Sequence, residues 1–267
     1  MLVGSWPLEM LDAPQPEAVA AYAERLAGAV RKALREAKRR SNWDAPNTEY
    51  EEATLGFLAE GLRGDAFFAS FLPFVGRVAR FGVDNSLVPT VLKLTAPGVP
   101  DTYQGSELWD FSLVDPDNRR PVDYAARAAA LGKMASALAS PEQRGALFGE
   151  LMESWRDGRV KFATIALLLG LRGERPKLFA EGGYRPIEIE GDDSGFALGF
   201  QRGAGEESLA VVVALRPALR EAKPDWQAFA RLPEGRWRDF VRGVEIDARP
   251  PIREWIGDLP FAQLVPA

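Results

Sequence analysis

The densest concentration of reactive side chains lies between Pro97 and Tyr124, in PGVPDTYQGSELWDFSLVDPDNRRPVDY. Asp101, Glu107, Asp110, Asp115, Asp117 and Asp123 offer many carboxylate pairs there, with Arg119 and Arg120 beside them. A retaining glycosidase needs two carboxyl groups about 5 to 5.5 Å apart, so one reading makes such a pair catalytic. The other makes these acids acceptors for sugar hydroxyls and locking partners for the two arginines, since a guanidinium can hold a carboxylate bidentately. The chain has no cysteine and no histidine. Disulfides, thiolate nucleophiles, Cys- or His-ligated metals and Ser-His-Asp hydrolysis are therefore excluded within it. Proton transfer falls to Asp, Glu, Lys or Tyr, and glycoside chemistry is the commonest home of paired carboxylates. No metal and no cofactor is expected.

Composition bounds the partners. The 267 residues are 46% apolar and 27% charged, a soluble globular balance, with a net charge of -5. That charge gives no general attraction to nucleic acid or to an anionic membrane. No uninterrupted apolar run approaches the roughly 20 residues of a membrane helix. MLVGSWPLEM at the start lacks a basic region followed by an apolar core. The cytoplasm is the expected location.

The elements that must position the loop come mostly as helices. Val19, Tyr22, Leu26, Val30 and Leu34 recur at three and four residues and predict an amphipathic helix over 16–40, ending in Lys38, Arg39 and Arg40, where cations complement the helix dipole. Pro46 then breaks the chain, and Thr48 with Glu51 has capping-box spacing for a helix to about Leu62. Trp43, on the connection, reads equally as a stacking platform for a sugar or as an aromatic closing the base of a loop. Residues 66–81 predict a helix kinked or divided at Pro73, and NSLVPTVLKLTAPG a short buried helix ended by Pro97 and Gly98. VPDTY is short enough for a buried strand. Helix, tight turn, strand, long polar loop and helix is the grammar of an α/β barrel, in which the loop after a strand lies on the active-site face.

Beyond the loop, helices are expected over 125–138, from Pro141 through Trp155, and over 162–171, whose leucines read as core. From about Lys177 the period changes. IEIE and FALGF alternate around a GDDSG turn and predict a hairpin; SLAVVVAL predicts a strand covered on both faces, with WRDFV and FAQLV closing the sheet. The expected organisation is α/β followed by all-β, with a boundary near 175.

The motifs carry a resemblance. GVPDTYQGSEL is similar to the G-x-P-x-x-Y-x-G-x-E pattern at the eighth barrel strand of the α-amylase superfamily. The longer run to Tyr124, with GSWPLE, SNWDAPNTEYEEA, FLPFVGRVARFGVDNSL and DGRVK, resembles the maltooligosyl trehalose synthase family. Those enzymes turn the reducing-end α-1,4 linkage of a maltooligosaccharide into an α,α-1,1 linkage. The resemblance implies that residues 1–175 are the C-terminal part of a (β/α)8 TIM-type barrel with a helical insertion, and 176–267 a small antiparallel β-sandwich domain. It also implies that the catalytic carboxylates lie before Met1, so that this chain has none of them, is inactive alone and has the missing N-terminal barrel portion as a partner. Where many relatives carry a histidine-containing run before Trp43, this chain has Arg39, Arg40, Ser41 and Asn42.

With the catalytic acids placed elsewhere, the locking and hydroxyl-accepting reading of the loop is favoured. The maltooligosaccharide contacts it implies are Tyr103, Gln104, Glu107, Trp109, Asp115, Asp117, Asn118, Arg119 and Arg120, with Trp43; Phe111 reads rather as an anchor. Other readings are a different α-amylase superfamily hydrolase or transglycosylase, a non-catalytic carbohydrate-binding protein, or one subunit of a split enzyme.

Overall fold

The structure is a computed structural model that describes residues 1–267. In chain order it contains helices α1 (Leu2–Ser5), α2 (Pro16–Glu36), α3 (Thr48–Gly61), α4 (Asp65–Thr95), α5 (Tyr124–Ala139), α6 (Pro141–Glu153), α7 (Arg159–Glu174) and α8 (Pro176–Glu181). Then come β1 (Tyr184–Ile187), β2 (Ile189–Glu190), β3 (Ala197–Arg202), β4 (Leu209–Ala214), α9 (Pro217–Ala222), β5 (Phe229–Ala230), β6 (Trp237–Asp239), β7 (Glu245–Ile246), α10 (Ile252–Ile256) and β8 (Phe261–Pro266). The chain forms two compact units, Met1–Arg80 with Asp110–Val122, and Phe81–Trp109 with Asp123–Ala267.

In the first unit Trp6, 1% exposed, packs edge-on against Tyr22 and Phe71, each with ring centroids 5.1 Å away. Tyr22, Leu26 and Ala29 form the buried stripe of α2, as the 3.6-residue period requires. The helix stops at Glu36, a turn earlier than expected, and Lys38 takes a left-handed φ of 52°. Lys38, Arg39 and Arg40 therefore follow the helix instead of forming its last turn. The N-cap of α3 is Asn47, whose side chain accepts from Tyr50 N–H, not Thr48. Glu51, read from spacing as a capping residue, is buried and accepts two 2.8 Å hydrogen bonds from Arg35 and one from Ser41 Oγ. Those hydrogen bonds and the Arg35 charge lower its pKa to about 2.

α4 is one helix of 31 residues through both Pro73 and Pro89, where two helices were expected. Each proline removes one backbone donor, but the apolar period continues across both, and burial of the later turns outweighs the local cost. As one element α4 is long and apolar enough to cross a membrane by length and composition, although 17% of its apolar window is buried in the protein. Its later turns place Val83, Leu87, Val91 and Leu94 in the core of the second unit. Phe57 of α3 is 81% exposed and Phe74 of α4 is 56% exposed.

In the second unit the six-stranded sheet has the order β1-β3-β4-β8-β6-β7, with every neighbour antiparallel, and β2 pairs with β5 in a separate ribbon. β4 is central and buried on both faces. Leu209, Val211 and Val213 face a core shared with α4 and α7, whereas Ala210, Val212 and Ala214 face one built from Trp226, Ala228, Ala230, Ile252 and Trp255. The expected sandwich is thus lopsided: one broad sheet, with helices on one face and a two-stranded ribbon with loops and α10 on the other.

The expected hairpin is also redistributed. β1 begins at Tyr184 and pairs with β3 in the register Tyr184↔Arg202 to Ile187↔Gly199, while Ile189 and Glu190 leave the sheet to pair with β5. Gly191, at φ 96°, permits that departure, because a Cβ there would fall on the Gln227 carbonyl. VPDTY is not a strand. Val99 is 96% exposed and no segment of this chain pairs with it; a strand needs a hydrogen-bonding neighbour, which its own sequence cannot supply.

Arg202 closes the second unit. Its side chain lies in the core, 1% exposed, with no acid beside it, and donates to carbonyls of Thr95, Leu178, Phe179, Gly182 and Gly183 at 3.0–3.3 Å. Those carbonyls lie at the C-terminal ends of α4 and α8 and just beyond α8, where Leu178 O also accepts from Gly182 N–H and Gly183 O from Gly203 N–H, and the dipoles of the helix ends favour a cation. Burial lowers the Arg202 pKa and the Arg172 charge lowers it further, but a guanidinium stays protonated.

Candidate functional site

The loop nominated by sequence is shared between the two units, with residues up to Trp109 in the second and Asp110–Val122 in the first. Each half is held by a basic residue from a helix.

In the first unit the anchor is α2. Arg25 grips Asp117 bidentately, Nε to Oδ1 and Nη2 to Oδ2 both at 2.9 Å, and its Nη2 also donates to Phe111 O at 3.0 Å. The Leu113 N–H donates to Asp117 Oδ2 at 2.7 Å. Two turns further along α2, Lys32 Nζ reaches Asp115 Oδ1 at 2.6 Å and its carbonyl at 3.2 Å. Residues seven apart share a helix face, so one face of α2 holds the D-P-D segment twice. Burial alone would push the Asp117 carboxyl up. Hydrogen bonds from Arg25 and Leu113, with the charges of Arg25 and Arg120, outweigh that and hold it below the ordinary carboxylate value. The hydrogen bond and charge of Lys32 lower Asp115.

These contacts revise the roles assigned to the loop's own arginines. Arg119 and Arg120 were expected to fix the loop. Arg119 instead leaves its side chain 69% exposed, touching Asp115 Oδ2 at 3.3 Å. Arg120 supports Asp117 at 3.1 Å but is 52% exposed. Asp117, 10% exposed, is engaged by Arg25, Arg120 and the Leu113 N–H and locks the loop, whereas Asp115, paired with Lys32 and Arg119, keeps its side chain 44% exposed. Asn118 buries an Oδ1 that accepts no hydrogen bond. Trp43 is 54% exposed and the Arg35 guanidinium stacks 5.0 Å from its ring centroid, which leaves the other ring face open.

In the second unit the anchor is Arg127 of α5. Its Nε meets Glu107 at 3.0 Å and its Nη2 the Gly105 carbonyl at 3.1 Å, while Asp123 caps the helix by accepting from Ala126 N–H. Tyr124 Oη lies 3.4 Å from Gln104 Oε1. Trp109 is an anchor: its indole N–H donates to Trp155 O at 2.6 Å and its ring packs on the core. Tyr103 is 49% exposed, and its carbonyl accepts from Ser106 N–H and Oγ. The backbone at Trp109 also presses on Gly158, which has φ 76° and room for no Cβ, since one would lie 2.7 Å from Trp109 N. Gly158→Ala is expected to destabilise the protein by about 2–3 kcal/mol through strain and displacement of the Trp109 segment. Gly132→Ala, in open space on α5, is the control and should be neutral or stabilising; equal melting temperatures for the two variants would refute this.

Sequence reading missed Arg25, Lys32 and Arg127. The signal was present in the i, i+7 basic pair of α2 and in an arginine set in the alanine-rich start of α5, but nothing local showed which acids they would meet.

A mainly helical part carrying an anchored, charged loop and leading into an antiparallel sheet differs from an all-β binding module. No protein-family model matches the chain. Two provisionally assigned maltooligosyl trehalose synthases of Mycobacterium tuberculosis, strains CDC 1551 and H37Rv, are each 34% identical to it over 263 residues, 98% of this chain. The chain spans 30% of their length. Among solved structures, the maltooligosyltrehalose synthase of Arthrobacter ramosus matches with a TM-score of 0.77 at 30% identity, covering 100% of this chain and 31% of that one. A hypothetical maltooligosyl trehalose synthase of Sulfolobus tokodaii matches with a TM-score of 0.70 at 30% identity, covering 99% and 30%. The chain is related in sequence and fold to the C-terminal part of the maltooligosyl trehalose synthases.

Proposed function

We propose that the chain acts as the C-terminal portion of a cytoplasmic intramolecular transglucosylase, which converts the reducing-end α-1,4 linkage of maltooligosaccharides into an α,α-1,1 linkage. The observation that carries this reading is the match to such enzymes along 98% of the chain. In this reading residues 1–175 complete a (β/α)8 barrel and 176–267 form its C-terminal β domain. Segment 99–103 becomes the last barrel strand once neighbouring strands are present, which would cover Val99. The exposed apolar side chains Phe57 and Phe74 face the rest of the enzyme.

In this reading the catalytic carboxylates belong to that remaining part, as the resemblance implies. One attacks the anomeric carbon, an acid protonates the leaving glucose, and a covalent glycosyl intermediate forms. The released glucose then turns and attacks through its own anomeric hydroxyl, so the pocket must retain glucose and exclude water. The 103–120 loop, held from α2 and α5, serves as one wall of that pocket. In the first unit Arg119 presents an exposed cation, ion-paired to Asp115, and Trp43 an exposed aromatic, with Arg25 and Lys32 as the anchors; in the second Tyr103 is the exposed aromatic and Arg127 the anchor.

Two experiments test this. Purified chain incubated with maltopentaose should yield no product alone, and should yield the non-reducing α,α-1,1 isomer when joined to the N-terminal two-thirds of a relative. Joined protein that only releases glucose would count against a transglucosylase. In that joined enzyme, Arg119→Ala leaves the Arg25–Asp117 lock untouched and should raise free glucose relative to isomer, with little change in melting temperature because its own ion pair is exposed. Unchanged product partitioning would sink the assigned role of Arg119.

A further inference from the structure

Away from the loop, the second unit carries an open cleft of about 660 Å³ at the edges of its two sheets. That volume falls within the range of small-ligand sites. Its walls come from cross-strand pairs: Glu190↔Phe229 of the β2–β5 ribbon on one side, and Trp237↔Ile246 of β6–β7 at the end of the main sheet on the other. The connection 231–236 bridges them, tied down by the indole N–H of Trp237 donating to Pro233 O at 2.9 Å. Three of the four apolar lining residues, Phe229, Trp237 and Ile246, are set by strand pairing, and Leu232 comes from the connection.

The charges on the rim decide what could bind. Arg231 pairs with Glu190 at 2.7 Å and Arg249 with Asp247, each guanidinium already matched by a carboxylate. A phosphate or a carboxylate ligand would have to displace an acid, and the lining carries one further carboxylate, Glu234. What remains available is a ring of fixed donors and acceptors around an apolar floor. A pyranose presents the complementary surface, with C–H groups on its face and hydroxyls around its edge.

We propose that this cleft is a binding site for a neutral oligosaccharide, separate from the 103–120 loop. One ring rests on the Phe229–Trp237 floor and its hydroxyls exchange hydrogen bonds with the Arg231–Glu190 and Arg249–Asp247 pairs. The site would hold a glucan chain without acting on it. Choosing an α-glucan as the first probe rests on the proposed function; the assignment of a neutral sugar rests on the cleft alone.

Saturation-transfer difference NMR on the full chain, with maltoheptaose and in parallel cellohexaose, tests this. Transfer to at least one sugar is expected, nearly independent of added salt because the ligand is uncharged. Trp237→Ala would disturb the core, so the diagnostic variant is Arg231→Ala with Asp247→Asn, two side chains 68% and 51% exposed whose loss leaves the fold intact by circular dichroism. It should weaken binding about tenfold by removing hydroxyl partners. Transfer to neither sugar, binding unchanged in the variant, or binding lost on raising salt would each overturn the proposal. Sugar binding here without transglucosylation by the joined enzyme would sink the proposed function and leave the cleft standing; transglucosylation without binding here would do the reverse.

Discussion

Replacing Arg202 by alanine is expected to destabilise the second unit by about 4 kcal/mol, because several buried carbonyls lose a charged donor at once and each unsatisfied group costs about 1–3 kcal/mol. For a protein of this size that corresponds to a fall of roughly 8–16 °C in melting temperature. The chemistry is unusual for a buried arginine, which ordinarily meets a carboxylate. Here the counter-charge is supplied by the C-terminal carbonyls of α4 and α8, from Thr95 and from Leu178 to Gly182. Arg202→Lys should recover only part of the loss, since an ammonium keeps the charge but cannot span both helix ends. Arg202→Met keeps the bulk and loses the donors, so it separates packing from hydrogen bonding. A methionine variant as stable as the parent would refute the capping role.

The second large effect belongs to the Arg25–Asp117 clamp. Breaking a buried pair from one side costs about 3–5 kcal/mol. With Arg25 23% exposed and Asp117 10% exposed, Arg25→Ala is expected near the bottom of that range, at about 2–3 kcal/mol after allowance for screening. Asp117→Asn should cost a similar amount, and the double variant less than the two single costs together, which is the signature of direct coupling. The clamp also sets a pH dependence. Asp117 has a folded pKa below its unfolded value of about 3.9, so the unfolded chain binds the proton more readily. Its stabilising contribution is present above about pH 4 and is lost as pH falls through the depressed folded value. The difference in stability between wild type and Asp117→Asn should therefore shrink on acidification. A difference that persisted unchanged to pH 2 would show that the carboxylate charge is not what matters.

The contrast between legible and illegible parts of the molecule follows the range of the interactions. The apolar stripe of α2, the restart of α6 at Pro141 and the doubly covered β4 were all readable, because each is encoded within one or two turns or a single strand. The loop at 97–124 was likewise visible as a charged, aperiodic stretch, and its motifs carried the family resemblance. What failed were statements about partners. Glu51 had capping spacing but turns inward to Arg35 and Ser41. Pro73 looked like a kink or a division, and a second helix was expected around Pro89, yet α4 runs through both because its later turns are buried in the second unit. VPDTY had a strand's composition without a neighbouring strand. Ile189 and Glu190 had a hairpin's alternation but pair with a segment forty residues on, a register that only the completed sheet selects.

The loop shows the division most plainly. Sequence alone established that it is rich in acids and arginines, that this chain brings no histidine or cysteine to its chemistry, and that it resembles the strand-eight segment of a glucan-active family. Tertiary structure alone decided which charges it spends on itself. Asp117 is held by Arg25, Asp115 by Lys32, Glu107 by Arg127 and Trp109 by Trp155, while Arg119, ion-paired to Asp115, Tyr103 and Trp43 stay largely exposed. The physical reason is reach. A charge's partner lies on another element 83 or 92 residues away in sequence, and only the packing of that element brings the Lys32 ammonium or the Arg25 guanidinium within 3 Å of the carboxylate.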